Sequence, residues 1–343
     1  MQSYLGTRSG VWSAELATGE YRPLGLDGHR VWAIHARRNA DGDDTVLAGT
    51  YGAGIFRSTD GGATWAAAND GLTAFALRAL QRDPTDAEAI LAGTEPARGY
   101  RSLDGGESWR EFEPISELPG VEEWFLPYSP RAGAIRNYVA SASGDLYASV
   151  EVGGLLHSPD GGENWSLLQV DPGPRVHDDI HCVIVDPASE DRLFVALGGA
   201  LVDRTHGQWS LEPRQIGGVA VSEDRGATWT KLRPEYTRAL HIPSTATDWL
   251  LAGPAARTGA GGWIVGSADR GQSWETLDAG IPTPLEDMVE RFEEAPDGTL
   301  WALCSGGRVF AASPGEWQWR NPLPNLPTSV CVESVAFPDA SAA

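Results

Sequence analysis

Short apolar segments recur along the whole chain, and turn residues separate them at fairly even intervals. Seven segments share one pattern, with an apolar residue or threonine first, a bulky polar residue or tryptophan second, and an apolar or aromatic residue fourth. They are Val31–Arg37, Leu77–Asp83, Ile135–Ser141, Ile180–Asp186, Thr237–Pro243, Val289–Ala295 and Val332–Pro338. Each of the first six leads through a turn into a second short apolar strand. The pattern predicts an all-β protein built from short strands and tight turns.

One motif, Ser-x-Asp-x-Gly-x-x-Trp, occurs five times and follows these strand pairs. The copies are Ser58–Trp65, Ser102–Trp109, Ser158–Trp165, Ser222–Trp229 and Ser267–Trp274, with their aspartates 44, 56, 64 and 45 residues apart. In such a turn the aspartate accepts hydrogen bonds from nearby backbone N–H groups, and the glycine supplies a positive φ. The tryptophan anchors the next strand against a neighbour. We therefore interpret the motif as structural, with each copy marking one repeat.

These residues match the Asp-box (BNR) repeat, and the chain resembles the large Asp-box group of β-propellers. That group includes sialidases, xyloglucanases, sortilin-type receptors and photosystem assembly factors. The resemblance implies one propeller domain over residues 1–343, with the Asp boxes on hairpins away from the binding face. Seven first strands predict seven blades, with six as the alternative. Insertions are expected at about 114–133 and 198–217, where function or surface elaboration are both open readings.

The two chain ends are predicted to share one blade. Val332–Pro338 has no second strand after it, whereas Tyr4–Thr7 and Gly10–Trp12 have no first strand before them. Pairing the C-terminal strand with these segments closes the ring and removes exposed sheet edges.

The second positions of the seven first strands carry the most informative residues. They read Trp32, Arg78, Arg136, His181, Arg238, Glu290 and Glu333. One reading is a plug of Arg–Glu pairs in the central channel, since buried charges are costly unless they are paired. The other is a funnel that binds an anionic small molecule or acidic saccharide, with Arg78, Arg136 and Arg238 as the clamp and Trp32 as a stacking wall. Loops after the second strands add Tyr51, Glu95, Arg98 and Glu151, with Arg8 and Arg308, to the same mouth.

Whether the protein is an enzyme stays open at this stage. A glycoside hydrolase would use Glu290 and Glu333 as its two carboxylates, and a lyase would use His181 and Tyr138 as base and acid. Classical sialidase activity is disfavoured, because the chain has no Arg-Ile-Pro near its start and seven predicted blades where sialidases have six. The alternative is a non-catalytic scaffold that binds or assembles a protein partner. No Gly-x-Ser-x-Gly or cofactor fingerprint is present in the sequence, so no cofactor is expected.

Composition narrows the partners and the compartment. With 26 basic and 47 acidic residues the net charge is −21, which argues against nucleic acid or an anionic membrane as partner. Three cysteines show no metal-ligand spacing, and His177–His181 is a weak metal motif outside a helix, so no metal site is expected. The start of the chain lacks the pattern of a secretory signal, and no apolar run approaches membrane-spanning length, which predicts a cytoplasmic protein.

Overall fold

Seven antiparallel β-sheets surround a central channel, and the predicted first strand is innermost in every sheet. The structure is a computed structural model that describes residues 1–39, 41–121, 124, 133–170, 178–198 and 217–338, with the backbone of 201–203 and 208–210. The seven-bladed all-β propeller predicted from the sequence is confirmed.

Each blade is numbered by its order along the chain, and its strands are given from the channel outward. Blade 1 comprises β30 (Val332–Ala336), β1 (Gln2–Thr7), β2 (Gly10–Glu15) and β3 (Glu20–Gly25); blade 2, β4 (Val31–Arg38), β5 (Asp44–Thr50), β6 (Ile55–Ser58) and β7 (Ala66–Ala67); blade 3, β8 (Ala76–Arg82), β9 (Ile90–Glu95), β10 (Gly99–Ser102) and β11 (Arg110–Glu111); blade 4, β12 (Ala134–Ala140), β13 (Leu146–Glu151), β14 (Gly154–Ser158) and β15 (Ser166–Leu168). Blade 5 comprises β16 (Ile180–Asp186), β17 (Ser189–Leu197), β20 (Gly218–Ser222) and β21 (Thr230–Arg233); blade 6, β22 (Thr237–His241), β23 (Leu250–Arg257), β25 (Val265–Ser267) and β26 (Glu275–Thr276); blade 7, β27 (Val289–Glu294), β28 (Leu300–Cys304) and β29 (Val309–Ala312).

The remaining elements lie outside this scheme. Helix α1 (Glu113–Ser116) lies at the start of the first predicted insertion, and β24 (Ala260–Gly262) pairs with β23. Strands β18 (Leu201–Asp203) and β19 (Gln208–Ser210) pair with each other within the second predicted insertion. Half of the first insertion and most of the second lie outside the described residues.

The two ends of the chain meet in blade 1, as predicted. Strand β30 pairs antiparallel with β1, with Tyr4 opposite Ala336 and Leu5 opposite Val335. The innermost strand of this blade therefore comes from the C-terminal end of the chain and its three outer strands from the N-terminal end, which closes the circle of blades.

Apolar residues fill the spaces between neighbouring blades. Leu47 of blade 2, for example, packs in one buried cluster with Leu77, Leu80 and Tyr100 of blade 3. Both faces of each sheet are covered in this way, which explains the nearly continuous burial of the second strands. Burial of one such side chain contributes about 1.5–3 kcal/mol, so the interfaces between blades hold the ring together.

The five Ser-x-Asp-x-Gly-x-x-Trp hairpins share one hydrogen-bond pattern. In the first, the backbone N–H and the hydroxyl of Thr64 both donate to the Asp60 carboxylate, and the Gly62 N–H donates to Ser58 Oγ. These bonds, led by the one from the Thr64 hydroxyl, lower the pKa of Asp60 to about 2. Gly62 has a φ of +89°, a conformation that favours glycine. The indole of Trp65 donates to the Leu24 carbonyl of blade 1. All of these contacts hold the hairpin.

Candidate functional site in the central channel

Seven side chains form a ring at the level where the innermost strands begin. In every blade the ladder between the innermost and second strand shifts register at this level. A β-bulge leaves a residue outside the ladder and redirects its side chain. The residues at the seven shifts are those that the sequence pattern singles out: Trp32, Arg78, Arg136, His181, Arg238, Glu290 and Glu333. We refer to these seven residues as the polar ring.

Carboxylates from the second strands reach the polar ring. Strands β9 and β13 end at Glu95 and Glu151, beside the beginning of their innermost strands, because neighbouring strands run antiparallel. Arg78 donates from Nη1 to Glu95 Oε2 at 2.8 Å and from Nη2 to Glu151 Oε2 at 2.8 Å. Arg136 Nη1 donates to the same Glu151 oxygen at 2.8 Å. The Arg78 side chain is 3% exposed and that of Glu151 is 5% exposed, so this is a buried network.

Glu151 is the centre of this network. Its Oε1 lies 3.6 Å from Arg238 Nη2 and 4.0 Å from His181 Nδ1. Burial alone would raise the pKa of this carboxyl group, but Arg136, Arg78 and Arg238 together hold it well below its usual range. On the far side of the imidazole, His181 Nε2 lies 3.3 Å from Asp179 Oδ1. Glu151 is therefore a fixed anion that several cations share.

Glu290 is held in a similar way on the opposite side of the channel. Both of its oxygens accept from Arg238 Nη1 at 3.0 Å, and Oε2 accepts from Arg136 Nη2 at 3.3 Å. Burial raises the pKa of Glu290, but Arg238 and Arg136 outweigh it and lower the pKa to about 2. Arg238 Nε also contacts the hydroxyl of Tyr236 at 2.6 Å. A carboxyl group that stays ionised at neutral pH is a poor proton donor.

Glu333 completes the carboxylates of the polar ring. Arg8 Nε donates to its Oε1 at 2.7 Å, and Arg30 Nη2 donates to its Oε2 at 2.8 Å. Its side chain is 8% exposed, whereas those of Arg8 and Arg30 are 46% and 39% exposed. Glu333 is thus covered by two guanidinium groups that face solvent.

Trp32 and Tyr51, the aromatic residues at this end of the channel, also contact charged side chains. The guanidinium carbons of Arg30 and Arg78 lie 4.0 and 4.4 Å from the centroid of the Trp32 ring. Tyr51 donates from its hydroxyl to Glu95 Oε1 at 3.0 Å. Cation–π contacts of this kind hold Trp32 in the ion-pair network, so its ring already has two stacking partners.

Formal charges balance at this end of the channel. The network contains five arginines and five carboxylates, with Asp179 in contact with His181: Arg8, Arg30, Arg78, Arg136 and Arg238, and Glu95, Glu151, Asp179, Glu290 and Glu333. A ligand anion would have to displace a carboxylate in order to reach the buried guanidinium groups of Arg78, Arg136 and Arg238. Of the two readings left open by the sequence, this geometry favours the plug of Arg–Glu pairs.

Three other residues from the sequence analysis lie away from the polar ring. The hydroxyl of Tyr138 donates to the Ala92 carbonyl at 2.9 Å in the interface between blades 3 and 4. Arg98 pairs with Glu111 of its own blade at 3.0 Å. Arg308 pairs with Asp287 at 2.5 Å. The structure does not bring these three side chains together with the catalytic and clamp candidates.

A cavity of about 1090 Å³ occupies the channel on the other side of the polar ring. Four ring residues, Arg136, His181, Arg238 and Glu290, form its floor. It reaches the surface beyond the ends of the innermost strands, where exposed Pro84, Pro187 and Thr247 lie at its rim. The third strand of each blade ends at this same end, so the cavity opens on the face that carries the Ser-x-Asp hairpins, whereas the family resemblance implies a binding face at the other end.

Two side-chain amides in the cavity wall replace backbone hydrogen bonds between blades. Gln81 Nε2 donates to the Tyr138 carbonyl at 2.9 Å, and its Oε1 accepts from the Tyr138 N–H at 3.1 Å. Asn137 makes the equivalent pair with Val183, at 2.8 and 3.1 Å. Each amide is hydrogen-bonded to the backbone N–H and carbonyl of a neighbouring innermost strand, so the role of both amides is structural.

Arg291 is a charged residue of the cavity wall that the sequence analysis missed. Third positions of the seven innermost strands read Ala33, Ala79, Asn137, Cys182, Ala239, Arg291 and Ser334. The arginine therefore stands out in a row of small or neutral residues, and comparing this row would have found it. Its guanidinium lines the cavity and makes no ion pair or hydrogen bond with any other described residue. Burial lowers the pKa of Arg291, with Glu293 acting in the opposite direction.

Glu293 lies two residues farther along β27 and also lines the cavity. In the part of the chain that the structure describes, its carboxylate has no hydrogen-bond or ion-pair partner. Burial raises the pKa of Glu293, partly offset by Arg291 and His241. The next residue, Glu294, differs because it accepts from the Ser244 hydroxyl at 2.5 Å and lies 3.1 Å from His241 Nε2. Arg291 and Glu293 thus remain available to a ligand.

The described residues contain neither a cluster of metal ligands nor a membrane-spanning helix. No group of three His, Cys, Asp or Glu side chains there could hold a metal ion, and His177 of the weak metal motif lies outside them. No described helix is long and apolar enough to cross a membrane.

Comparisons with known proteins find structural relatives only. No family model matches the chain, and no curated protein matches it. The GH74 xyloglucanase from Xanthomonas campestris has a TM-score of 0.65 at 17% identity, over 94% of this chain and 52% of that enzyme. An ancestral GH74 enzyme has a TM-score of 0.57 at 14% identity, over 82% of this chain and 36% of its own. YCF48 from Cyanidioschyzon merolae has a TM-score of 0.47 at 16% identity, over 85% of this chain and 84% of its own.

The likeness to the two GH74 enzymes supports the β-propeller fold. The chain spans about half the length of the xyloglucanase. At such identities the likeness establishes the fold alone, since one fold hosts many functions.

Proposed function

We propose that this protein is an Asp-box propeller that recognises, without cleaving, a small ligand with an anionic group, such as a carboxylate or an acidic saccharide. The ligand would enter the central cavity from its open end. The observation that carries the proposal is Arg291, whose guanidinium lines the cavity with no ion-pair partner among the described residues. A guanidinium partly withdrawn from water favours a carboxylate, sulfate or phosphate partner.

The ion pairing of the carboxylates in the polar ring supports ligand recognition and argues against hydrolysis. A glycoside hydrolase needs a carboxylic acid whose pKa is raised so that it can protonate the leaving group. Glu290 and Glu333, the two candidates from the sequence, are each held by two guanidinium groups, and the pKa of Glu290 is lowered to about 2. We assign the polar ring to the floor of the site, with a structural role.

The sealed floor also favours a second candidate function, a scaffold for a protein partner. A propeller that only presents its outer surface needs no open passage, and the neutral network of Glu95, Glu151 and their arginines closes one end of the channel. In this case the cavity would be a structural void and small anions would not bind.

Thermal unfolding with a panel of small acids separates the two candidates. The panel comprises monocarboxylates, dicarboxylates, uronates, sialic acid and sulfated or phosphorylated sugars. A ligand at about 100 times its dissociation constant stabilises by about 2.7 kcal/mol, which gives a clear rise in Tm. We expect at least one acid to stabilise the wild type and to have no effect on Arg291→Gln.

Arg110→Gln is the matched control. Arg110 lies on the outer surface with its side chain 78% exposed, so this variant should keep the ligand response. The proposal is wrong if no acid stabilises the wild type, or if Arg291→Gln responds as strongly as Arg110→Gln. The scaffold would then be the better candidate.

A further inference from the structure

Arg291 and Glu293 form a pair of opposite charges on one wall of the cavity. They lie two residues apart on β27, so the alternation of a strand directs both side chains to the same side. Their Cα atoms are about 6.5–7 Å apart at the usual rise of a strand. No contact of 4.0 Å or less joins the guanidinium to the carboxylate, which would count as an ion pair.

This separation is unusual for two half-buried charges. Nearly every other buried or half-buried charge described around the channel is paired, as Glu151 and Glu290 show. Unpaired charges that are partly withdrawn from water destabilise a protein unless something compensates them. Arg291 and Glu293 therefore present both a cation and an anion to whatever occupies the cavity.

The surroundings leave room between and around these two groups. At the level of Arg291, the neighbouring strands contribute the small residues Ala239 and Ser334. Glu294, the next carboxylate along the strand, is already held by Ser244 and His241. The open donors and acceptors of this wall are thus those of Arg291 and Glu293.

We propose that the ligand of the cavity is a small zwitterion, an aminocarboxylate whose carboxylate binds Arg291 and whose ammonium group binds Glu293. This inference rests on the proposed function, because it names the ligand class of the same site. A ligand with both charges matches both groups at once, whereas a simple carboxylate leaves Glu293 unpaired. The site would prefer the zwitterion to the simple carboxylate because leaving a buried charge unpaired costs free energy.

Calorimetric titration with matched ligands tests the proposal. The series comprises glycine, β-alanine, 4-aminobutyrate and 5-aminovalerate, each paired with the carboxylate of equal length that lacks the amine. We expect at least one amino acid to bind wild-type protein about tenfold or more tightly than its partner, the gain typical of one charged hydrogen bond. Glu293→Gln should abolish this preference while still binding the plain carboxylate, and Arg291→Gln should bind neither ligand.

Glu294→Gln is the matched control, since it changes a neighbouring carboxylate that already has partners, and we expect it to keep the preference. Equal binding of both ligands by wild-type protein, with no effect of Glu293→Gln, would overturn the inference and leave the proposed function standing. Failure of every acid, with or without an amine, would overturn both. Melting curves of each variant establish that it is folded at the temperature of the titration.

Discussion

The charged side chains at the two ends of the central channel differ in whether they form ion pairs. In the polar ring, each arginine reaches at least one carboxylate within 3.6 Å, and the network around Glu151 is almost fully buried. In the cavity beyond it, Arg291 and Glu293 lie two residues apart with no such partner among the described residues. Paired charges hold a structure together, whereas charges without an ion pair are open to a ligand. This contrast is the basis on which we propose recognition in the cavity and a structural role for the ring.

The largest expected effect comes from removing the central anion of the ring. Glu151→Gln keeps the shape of the side chain but leaves Arg78 and Arg136 without their shared charge. Breaking a buried ion pair in this way costs about 3–5 kcal/mol. Urea unfolding at pH 7 measures the loss in the free energy of unfolding.

Glu163→Gln is the control for that measurement. Glu163 pairs with Arg110 on the outer surface, where the two side chains are 60% and 78% exposed. A surface pair contributes about 0–1 kcal/mol, so this variant should unfold nearly as the wild type does. A loss in Glu151→Gln no larger than in Glu163→Gln would remove the contrast between the two ends.

A second, smaller effect depends on pH and uses Glu290. Its pKa is lowered from 4.5 to about 2 in the folded protein, so the unfolded chain takes up protons first as the pH falls. The stability that Glu290 contributes is present above the unfolded pKa and is lost as the pH falls through the folded one. The difference in the free energy of unfolding between wild type and Glu290→Gln should shrink by roughly 3 kcal/mol between pH 5 and pH 2. A difference independent of pH would contradict this prediction.

Glu293 should show the smallest effect, with the opposite sign. Because burial raises its pKa, the folded protein favours the neutral form, and its ionisation destabilises the fold as the pH rises above the unfolded value. Glu293→Gln should therefore be more stable than the wild type at pH 7, by on the order of 1 kcal/mol or less. The gain should vanish at pH 3, which denaturant titrations at the two pH values would show. A destabilised Glu293→Gln at pH 7 would mean that the carboxylate has a structural role.

The strands were predictable because their signals are local. The first position of every innermost strand is apolar or threonine and the fourth is apolar or aromatic, and the observed bounds of β4 and β16 differ from the predicted ones by at most one residue. The closure by β30 followed from counting strands. Tyr138 is at the fourth position and lies between blades, where its hydroxyl donates to the Ala92 carbonyl, and this argues against its prediction as a proton donor.

The partners of the charged residues were not predictable from the sequence. Arg78 meets Glu151 across 73 residues and Arg30 meets Glu333 across 303, contacts that depend on how the blades turn around the channel. The sequence identified both groups of residues but could not say whether they bind each other or a ligand. Arg291 went unnoticed because it follows directly after Glu290, and only the bulge separates the roles of these two neighbours.

The closure of blade 1 has a consequence for how the protein is made. Glu333 lies 303 residues after Arg30, so at about 5–20 residues per second the ribosome delivers it roughly 15–60 s later. During that interval β1 has an open edge on the channel side, because β30 is its partner there. An open edge of this kind invites pairing with another chain. The newborn protein therefore passes through a period in which this edge of blade 1 is open to aggregation, and the synthesis of β30 ends it.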